Sequence, residues 1–338
     1  MLKNKNYNTI FHIWLISLQI LIGMIIIIGG LTRLTDSGLS ITEWELFTGV
    51  MPPTNNDSWM SYFDSYKQIP QYSILNNNMS LDEFKIIFLW EYAHRLIARF
   101  IGIFFLIPFL FFIFINYLKK YLITRLTTIF IMILIQGSIG WYMVKSGLVQ
   151  NLSVSHYRLS IHLFIAFSIF SSIFWILLNS LNNTKKIFFE FNSNLLSIKF
   201  LLFLLFFQII LGAFVSGLDA GRIYQTWPLM NGGYFPNDIS SIDYLNFSQP
   251  SFVQFIHRNL AYIIFSLSIY IGIIIFKKKE IKLYNNFLSY FLIVLAQIIL
   301  GILVLTSGTN IYLASMHQIS SIFLITTALN LYYRSIRS

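Results

Sequence analysis

The sequence predicts an all-α integral membrane protein with eight transmembrane helices, arranged as two pseudo-symmetric four-helix bundles. The first observation is composition: of 338 residues, 56% are hydrophobic and 11% are charged, and the mean hydropathy is +0.69. A soluble domain of this size does not need so much apolar surface. The second observation is a series of apolar runs, each long enough for a bilayer that takes about 20 residues to cross. These runs lie at residues 10–31, 87–117, 123–144, 159–180, 196–217, 252–276, 286–306 and 312–333.

The third observation is a repeat, which divides the chain into an N-terminal half (residues 1–185) and a C-terminal half (186–338). The repeated motifs are His94-Arg95 with His257-Arg258, Gln136-x3-Gly140 with Gln297-x3-Gly301, and Gln19-x3-Gly23 before Arg33 with Gln208-x3-Gly212 before Arg222. Each half contains four runs, an even number, so both copies have the same orientation in the membrane. Each half is therefore expected to form a bundle that holds one ligand.

The formal net charge of +10 does not indicate a nucleic-acid partner, because the basic residues lie in short loops between apolar runs. Loops on one side hold Lys119-Lys120, Lys185-Lys186 and Lys277-Lys278-Lys279, whereas most acidic residues lie in the opposite loops. The positive-inside rule then places both termini in the cytoplasm, and a bacterial inner membrane is the simplest location. The absence of cysteine excludes disulfides, thiolate metal sites and iron–sulfur clusters.

Four histidines lie just inside the same ends of the even-numbered runs, two in each half. With a rise of about 1.5 Å per residue, each lies roughly 5–12 Å below the membrane surface. A histidine in a membrane helix is costly and usually marks function, and two facing imidazoles can bind one haem iron from both sides. The pairs are His94 with His162, and His257 with His317.

Two other interpretations of these histidines are weaker. Zinc is disfavoured because each half offers only two such ligands, too few for a tetrahedral site. Unrelated histidines that form hydrogen bonds between helices are disfavoured because the pairs repeat at matched depth. His156 precedes His162 by six residues and could compete as a ligand, although an exposed loop histidine is the favoured interpretation.

Glu91 lies one helical turn before His94, so both side chains share a helix face with Arg95. A carboxylate beside a candidate haem ligand is a functional candidate, and the alternative is a structural ion pair between Glu91 and Arg95. The C-terminal half has Gln254 at the matching position. The two sites are therefore built alike but charged differently, which indicates chemistry in one and electron storage or transfer in the other.

Four arginines near the same surface are candidates for binding the propionate carboxylates of a haem, because a guanidinium group suits bidentate contacts. Snorkelling of each side chain to the membrane interface is the alternative explanation. The four are Arg33, Arg95, Arg222 and Arg258.

Taken together, these motifs resemble those of the haem A synthase (Cox15/CtaA) family, over residues 18 to 330. The segments that carry the resemblance are Gly29-Gly30-Leu31-Thr32-Arg33-Leu34-Thr35, Ser37-Gly38-Leu39-Ser40, Glu91-Tyr92-Ala93-His94-Arg95, Tyr157-Arg158-Leu159, His162-Leu163, Gly217-Leu218-Asp219-Ala220-Gly221, Thr226-Trp227-Pro228-Leu229-Met230, His257-Arg258 and His317-Gln318. Some members of the family carry a cysteine pair in the first outer loop. This chain has none, and so resembles the branch of alphaproteobacteria and mitochondria.

The resemblance implies an oxidoreductase that converts the C8 methyl group of haem O into a formyl group. The reaction passes through hydroxymethyl haem I and supplies haem A to terminal oxidases. By the same resemblance, His257 and His317 bind the iron of a resident haem b, and His94 and His162 face the substrate haem O. Glu91 then assists the oxidation. Haem O synthase and oxidase assembly factors are the implied partners; the electron acceptor is not indicated, and a homo-oligomer is compatible with the sequence.

Two further functions stay open. A bis-histidine b-type cytochrome would only pass electrons, and the difference between Glu91 and Gln254 argues against it. A haem transporter or chaperone would leave the macrocycle unchanged, which an assay of the haem product distinguishes.

Overall fold

The computed structural model describes residues 5–45, 48–149, 153–188, 196–238 and 246–336, and the long elements in these ranges are all helices. The α-helices are α1 (Lys5–Leu34), α2 (Asn56–Tyr66), α3 (Pro70–Leu75), α4 (Leu81–Phe114), α5 (Lys120–Gly147), α6 (His156–Leu181), α7 (Leu196–Gly217), α8 (Pro250–Lys277), α9 (Ile281–Thr306) and α10 (Ile311–Ser335). All but α2 and α3 are long and apolar enough to cross a membrane. The predicted all-α fold with eight transmembrane helices is confirmed.

At the starts of α4 and α10, polar side chains satisfy the first backbone N–H groups. Before α4, the Ser80 side chain accepts a hydrogen bond from the N–H of Glu83, and the Glu83 carboxylate accepts one from the N–H of Ser80. This reciprocal pair is a capping box. Before α10, Asn310 accepts hydrogen bonds from the N–H groups of Tyr312 and Leu313. These caps set where each chain segment enters its helix.

Several helices end at a residue in the left-handed conformation, which stops the helical hydrogen-bond pattern. Asn116 (φ 52°) follows α4, and the predicted run of 87–117 therefore extends three residues too far. Asp36 (φ 51°) follows α1, and Asp219 (φ 49°) follows α7. Asparagine and aspartate tolerate this conformation better than other side chains do.

The chain divides into two compact units, residues 2–169 and 170–338, and the division falls within α6. The division into two halves after residue 185 is based on the sequence repeat and stays a prediction. In the first unit, α1 packs along α4, with Trp14 against Phe105 (ring centres 5.5 Å apart) and Phe11 against Phe112 (5.3 Å).

Residues 35–45 and 48–80, here together called loop A, fold onto the start of α4. Its helices α2 and α3 bury Phe63 and Tyr66 against Phe84, with ring centres 5.0 and 5.2 Å apart. Because this cluster is packed as a small core, loop A is an ordered cover on one end of the first unit rather than a loose connection.

In the second unit, α7 packs on α8, and α9 packs on α10. The helices α8 and α9 meet closely at Gly272, where an added Cβ would lie 2.5 Å from the ring of Phe287. Small residues allow such an approach between membrane helices, where dispersion contacts rather than water exclusion drive packing. Residues 218–238 and 246–249, from the other connecting segment, are together called loop B.

We predict that Gly272→Ala destabilises the second unit, because the new methyl group has to displace the Phe287 ring, and overpacking typically costs about 1–3 kcal/mol. Thermal unfolding of the detergent-solubilised protein measures the effect. Gly102→Ala is the matched control, since nothing lies within 4 Å of a Cβ at Gly102. Equal melting temperatures for the two variants would contradict the prediction.

Candidate functional site

The structure brings His94 of α4 and His162 of α6 together in the first unit, with ring centres 6.3 Å apart and ring planes inclined by 55°. Two imidazoles that bind one metal from opposite sides have nearly this separation, with bonds of about 2.0 Å and roughly 1.1 Å from each nitrogen to its ring centre. The pair therefore has the spacing that two axial ligands of one metal atom require.

The ligand set itself favours a flat macrocycle over an isolated metal ion. Among the described residues, no group of three or more His, Asp or Glu side chains could hold a metal ion. A tetrahedral zinc site needs more protein ligands than a pair, whereas a haem iron takes four bonds from its own ring and two from the protein. Two histidines per site are thus sufficient for haem.

Each of the four histidine rings lies against a glycine of the preceding membrane helix. A Cβ built on that glycine would lie 3.1 to 3.4 Å from the imidazole, so a larger residue would displace the ring. The contacts, glycine first, are Gly29 with His94, Gly140 with His162, Gly212 with His257 and Gly301 with His317. Glycine is required here because the imidazole occupies the space of its missing side chain.

Three of these histidines have a second contact with the same neighbouring helix. The side-chain amide of a glutamine, four residues before the glycine, donates a hydrogen bond to the backbone carbonyl of the histidine. The pairs are Gln136 with His162 (3.0 Å), Gln208 with His257 (3.0 Å) and Gln297 with His317 (3.1 Å). We call each Gln-x3-Gly pair a histidine seat. Hydrogen bonds between membrane helices contribute about 0.6 kcal/mol on average.

The seats correct one part of the predicted repeat. The sequence paired Gln19-x3-Gly23 with Gln208-x3-Gly212, but the glycine that contacts His94 is Gly29. With Gly29 matched to Gly212, one constant offset also matches three further pairs. These are Asp36 with Asp219, Gly38 with Gly221 and Trp44 with Trp227.

The pairing of Gln19-x3-Gly23 with Gln208-x3-Gly212 is wrong, because a short Gln-x3-Gly spacing also occurs by chance in an apolar helix. In the corrected register, Ile25 stands where Gln208 stands, and Arg33 no longer matches Arg222. The seat of His94 therefore consists of its glycine alone.

Buried ring nitrogens provide a further test of whether these histidines suit a ligand. Nδ1 is buried and has no hydrogen-bond partner among the described residues in His162, His257 and His317. An unpaired nitrogen inside a membrane protein is unfavourable unless something binds it. In His257 and His317, the other nitrogen, Nε2, lies 3.4 Å from the amide nitrogen of the seat glutamine. These observations fit residues that bind an additional group.

Glu91 is almost fully buried, with 3% of its surface exposed, and its two oxygens have different partners. Oε2 accepts hydrogen bonds from Ser40 Oγ (2.8 Å) and the N–H of Ile41 (2.9 Å). Oε1 accepts from Arg95, whose Nη2 lies 2.6 Å away. The ion pair that the sequence offered as an alternative is therefore present, and Glu91 also anchors loop A to α4.

Gln254 in the second unit anchors loop B in a related way. Its amide donates to the carbonyl of Tyr224 at 2.8 Å, and 2% of its surface is exposed. A neutral amide thus suffices to hold a loop at this position. Anchoring alone does not explain why the first unit has a carboxylate there.

The arginines that directly follow His94 and His257 each clamp the backbone of the nearby loop. Arg95 donates to the carbonyls of Ile41 (2.9 Å) and Glu43 (3.1 Å). Arg258 donates to the carbonyls of Tyr224 and Thr226, at 2.8 and 2.9 Å. The sequence analysis missed this role, although the tryptophan that follows each clamped pair is a repeated signal that could have revealed it.

The tryptophans complete the clamps. Trp44 lies under the Arg95 guanidinium, 5.3 Å from its centre, and Trp227 donates a hydrogen bond from its indole to Tyr262 of α8. Each loop is thereby fixed to the helix that carries the first histidine of its unit. In both clamps, the tryptophan comes first in the chain and the arginine follows later, directly after a histidine.

The remaining predicted site residues are Arg33, Arg222 and His156. Each lies at a helix end or directly beside one. Arg33 is 9% exposed and forms an ion pair with Asp36 at 2.7 Å, whereas Arg222 is exposed in the short 3₁₀ helix Ala220–Arg222. His156 is the first residue of α6, and its ring packs on that of Tyr157. His156 is half-buried within this helix, so the expectation of an exposed loop histidine is wrong.

Loops A and B contain hydrogen-bonded tyrosines outside the membrane-spanning segments. In loop A, burial and the hydrogen bond to the Glu45 carboxylate raise the pKa of Tyr62 to about 12. In loop B, burial raises the pKa of Asp238, but hydrogen bonds from Ser251 and Tyr224 outweigh it and lower that pKa overall. At neutral pH, Tyr62 therefore keeps its proton and donates it in a hydrogen bond to Glu45, and the ionised Asp238 accepts hydrogen bonds from Ser251 and Tyr224.

Comparison with known proteins places these features in one family. The model of the cytochrome oxidase assembly protein family COX15-CtaA matches residues 12–329. The chain is 48% identical to the haem A synthase of Pelagibacter ubique, over 98% of each protein. It is 40% identical to the haem A synthase of Rickettsia bellii, over 94% of this chain and 95% of the relative. The haem A synthase of Nitrosospira multiformis is 41% identical, over 94% and 91%.

We predict that Gly301→Ala weakens binding at the His317 site, because the new methyl group would lie 3.1 Å from the ring and shift it by several tenths of an ångström. The measurement is the haem content and absorption spectrum of the purified protein. Gly137→Ala is the matched control, since a Cβ there meets nothing within 4 Å. Full haem content and an unaltered spectrum in Gly301→Ala would show that the seat does not constrain the ligand.

Proposed function

The chain belongs to the COX15-CtaA family of cytochrome oxidase assembly proteins, and we propose that it is an oxidoreductase that converts haem O into haem A. The observation that carries the proposal is the His94–His162 pair, spaced for one metal atom, beside the buried carboxylate of Glu91. The near-full-length similarity to haem A synthases supports the same reaction. The methyl group at C8 of haem O is oxidised through a hydroxymethyl group, in haem I, to a formyl group.

Within this function, His257 and His317 would hold a resident haem b. Their seats, Gln208 with Gly212 and Gln297 with Gly301, support the role, since each ring is held on two sides. Bound haem b supplies one-electron transfer. The protein's part is to keep both imidazoles fixed, so that little reorganisation accompanies a change in charge.

His94 and His162 hold the substrate haem O, and Glu91 is the catalytic residue of this site. A carboxylate near a reacting carbon stabilises developing positive charge or accepts a proton. The comparison with Gln254 supports a chemical role, because an amide at the matching position already anchors its loop. Ser40 and Arg95 orient the carboxylate through its two oxygens.

The arginines are proposed to contribute to propionate binding at the same ends of the helices. Nε of Arg258 is buried and has no partner among the described residues, so this group keeps one donor for a carboxylate. Arg95 has its donors on Glu91 and loop A, and Arg33 pairs with Asp36. Arg222 is exposed at the start of loop B. A propionate would share these guanidinium groups with the loops rather than replace the loops.

We place this multi-pass membrane protein in a bacterial inner membrane with cytoplasmic termini. The lysine clusters at residues 119–120, 185–186 and 277–279 support that orientation, because they lie at the helix ends opposite the histidines. Residues 1–4 and 337–338 lie outside the described residues. Haem O synthase and oxidase assembly factors are the proposed donor and recipient of the haems; nucleic acid is not a partner.

We predict that cells that make haem O accumulate haem A, or its precursor haem I, only when they express this protein. Acid–acetone extraction and chromatography of the haems measure this directly, and cells with an empty vector are the control. Unchanged haem O, beside a protein that still binds haem b, would instead support an electron-carrying cytochrome or a haem transporter.

We predict that Glu91→Gln lowers haem A formation by about 100-fold or more, the usual contribution of a positioned acid or base. The glutamine oxygen can still accept the hydrogen bond from Ile41, so loop A and the haem b content should be retained. Ser40→Ala is the matched control, because it removes one hydrogen bond to the carboxylate and keeps its charge. Wild-type activity in Glu91→Gln would leave Glu91 with an anchoring role only.

A further inference from the structure

The four histidines do not make equivalent contacts with the neighbouring helix, and His94 is the one that differs. His162, His257 and His317 each have a complete seat, formed by a glycine and a glutamine. His94 has the glycine, but Ile25 occupies the position of the glutamine. Among the described residues, no side chain of another helix donates a hydrogen bond to the His94 carbonyl.

The seat glutamine acts on the ligand through the backbone. A helical carbonyl normally accepts one hydrogen bond, from the N–H four residues later. The glutamine adds a second bond from the neighbouring helix at the residue that carries the imidazole. This bond fixes the rotation and height of the ligand helix relative to the glycine that receives the ring. A hydrogen bond of the strength measured between membrane helices changes an equilibrium by about 3- to 20-fold.

The other glutamine of α1 does not replace the missing contact. Gln19 lies ten residues before Gly29, which is about 15 Å along the helix. Its amide nitrogen and oxygen are both buried and have no hydrogen-bond partner among the described residues. The first unit therefore has a polar side chain on α1, but not at the level where it could hold His94.

We propose that His94 is the exchangeable ligand of the substrate pair, and that Gln136, Gln208 and Gln297 are positioning residues for the three permanent ligands. The inference rests on the proposed function, in which one site keeps its haem and the other releases a product in each turnover. A resident cofactor requires two fixed ligands, which the second unit provides. A substrate site requires one firmly held ligand and one ligand that dissociates. His162 has a complete seat and suits the first role, whereas His94 lacks the glutamine and suits the second.

The deciding experiment installs the missing glutamine. Ile25→Gln completes a Gln-x3-Gly seat with Gly29, and Met24→Gln is the matched control, since Met24 is 44% exposed on the lipid-facing side. The full chain, purified with haem b and loaded with haem O, is mixed with excess apomyoglobin as haem acceptor. Chromatography of the protein-bound fraction then gives haem O and haem B separately over time.

We expect Ile25→Gln to slow the loss of haem O by about 3- to 20-fold, the range for one interhelical hydrogen bond, and Met24→Gln to leave it unchanged. The fraction of reduced haem O that binds carbon monoxide should fall in parallel, because carbon monoxide reports a released imidazole. Removal of the seats should have the opposite effect. Gln136→Leu should speed the loss of haem O, and Gln208→Leu that of haem B.

Wild-type release of haem O from an Ile25→Gln protein that retains haem b would overturn the proposal. Unchanged haem O retention in Gln136→Leu would overturn it as well. Failure of the proposed function gives a different result, because the wild-type protein would then take up no haem O. In that case the haem B arm of Gln208→Leu still decides whether a seat holds its ligand.

Discussion

The close contact between an imidazole and a glycine on the preceding helix is the constraint on which both sites depend. A membrane helix can bring a ligand to a defined point only if its neighbour leaves room for the ring, and an added Cβ at Gly140 or Gly301 would lie 3.1 Å from it. Because lipid provides no hydrogen bonds, the polar groups at that contact must find partners within the protein. At three of the four contacts, the glutamine one turn away supplies such a partner, so space and hydrogen bonding are provided by one face of one helix.

The loops are tied to the same helices as the ligands. Arg95 and Arg258 directly follow His94 and His257, and each donates to two carbonyls of the adjacent loop. Any movement of a loop therefore acts on the residue next to one of these histidines. Because each guanidinium group donates to backbone carbonyls, an arginine at the membrane edge does not need an acidic partner. In the first unit, Glu91 adds an ion pair to the clamp.

The sequence predicted the parts of this arrangement that depend on periodicity and residue type. Long apolar runs predict membrane helices because backbone groups must be satisfied within each helix, and the eight predicted runs fall on the observed ones. The pairing of His94 with His162 followed from matched depth. The match of Gln19 with Gln208 was wrong, because spacing along α1 does not reveal which glycine meets the next helix. The carbonyl contacts of Arg95 could not be predicted, since they depend on how loop A folds back.

Three differences between the two units lie around His94. Ile25 replaces a seat glutamine, Glu91 replaces Gln254, and Arg95 adds an ion pair to a clamp that otherwise uses the same backbone contacts. Each change makes the first unit less tightly held at its ligand, or more charged beside it. A site that only stores electrons gains nothing from a loosely held ligand or from an added charge. In the proposed function, a site that binds, oxidises and releases a macrocycle needs both, because the carboxylate would act on the bound substrate and the loosely held ligand would permit the product to leave.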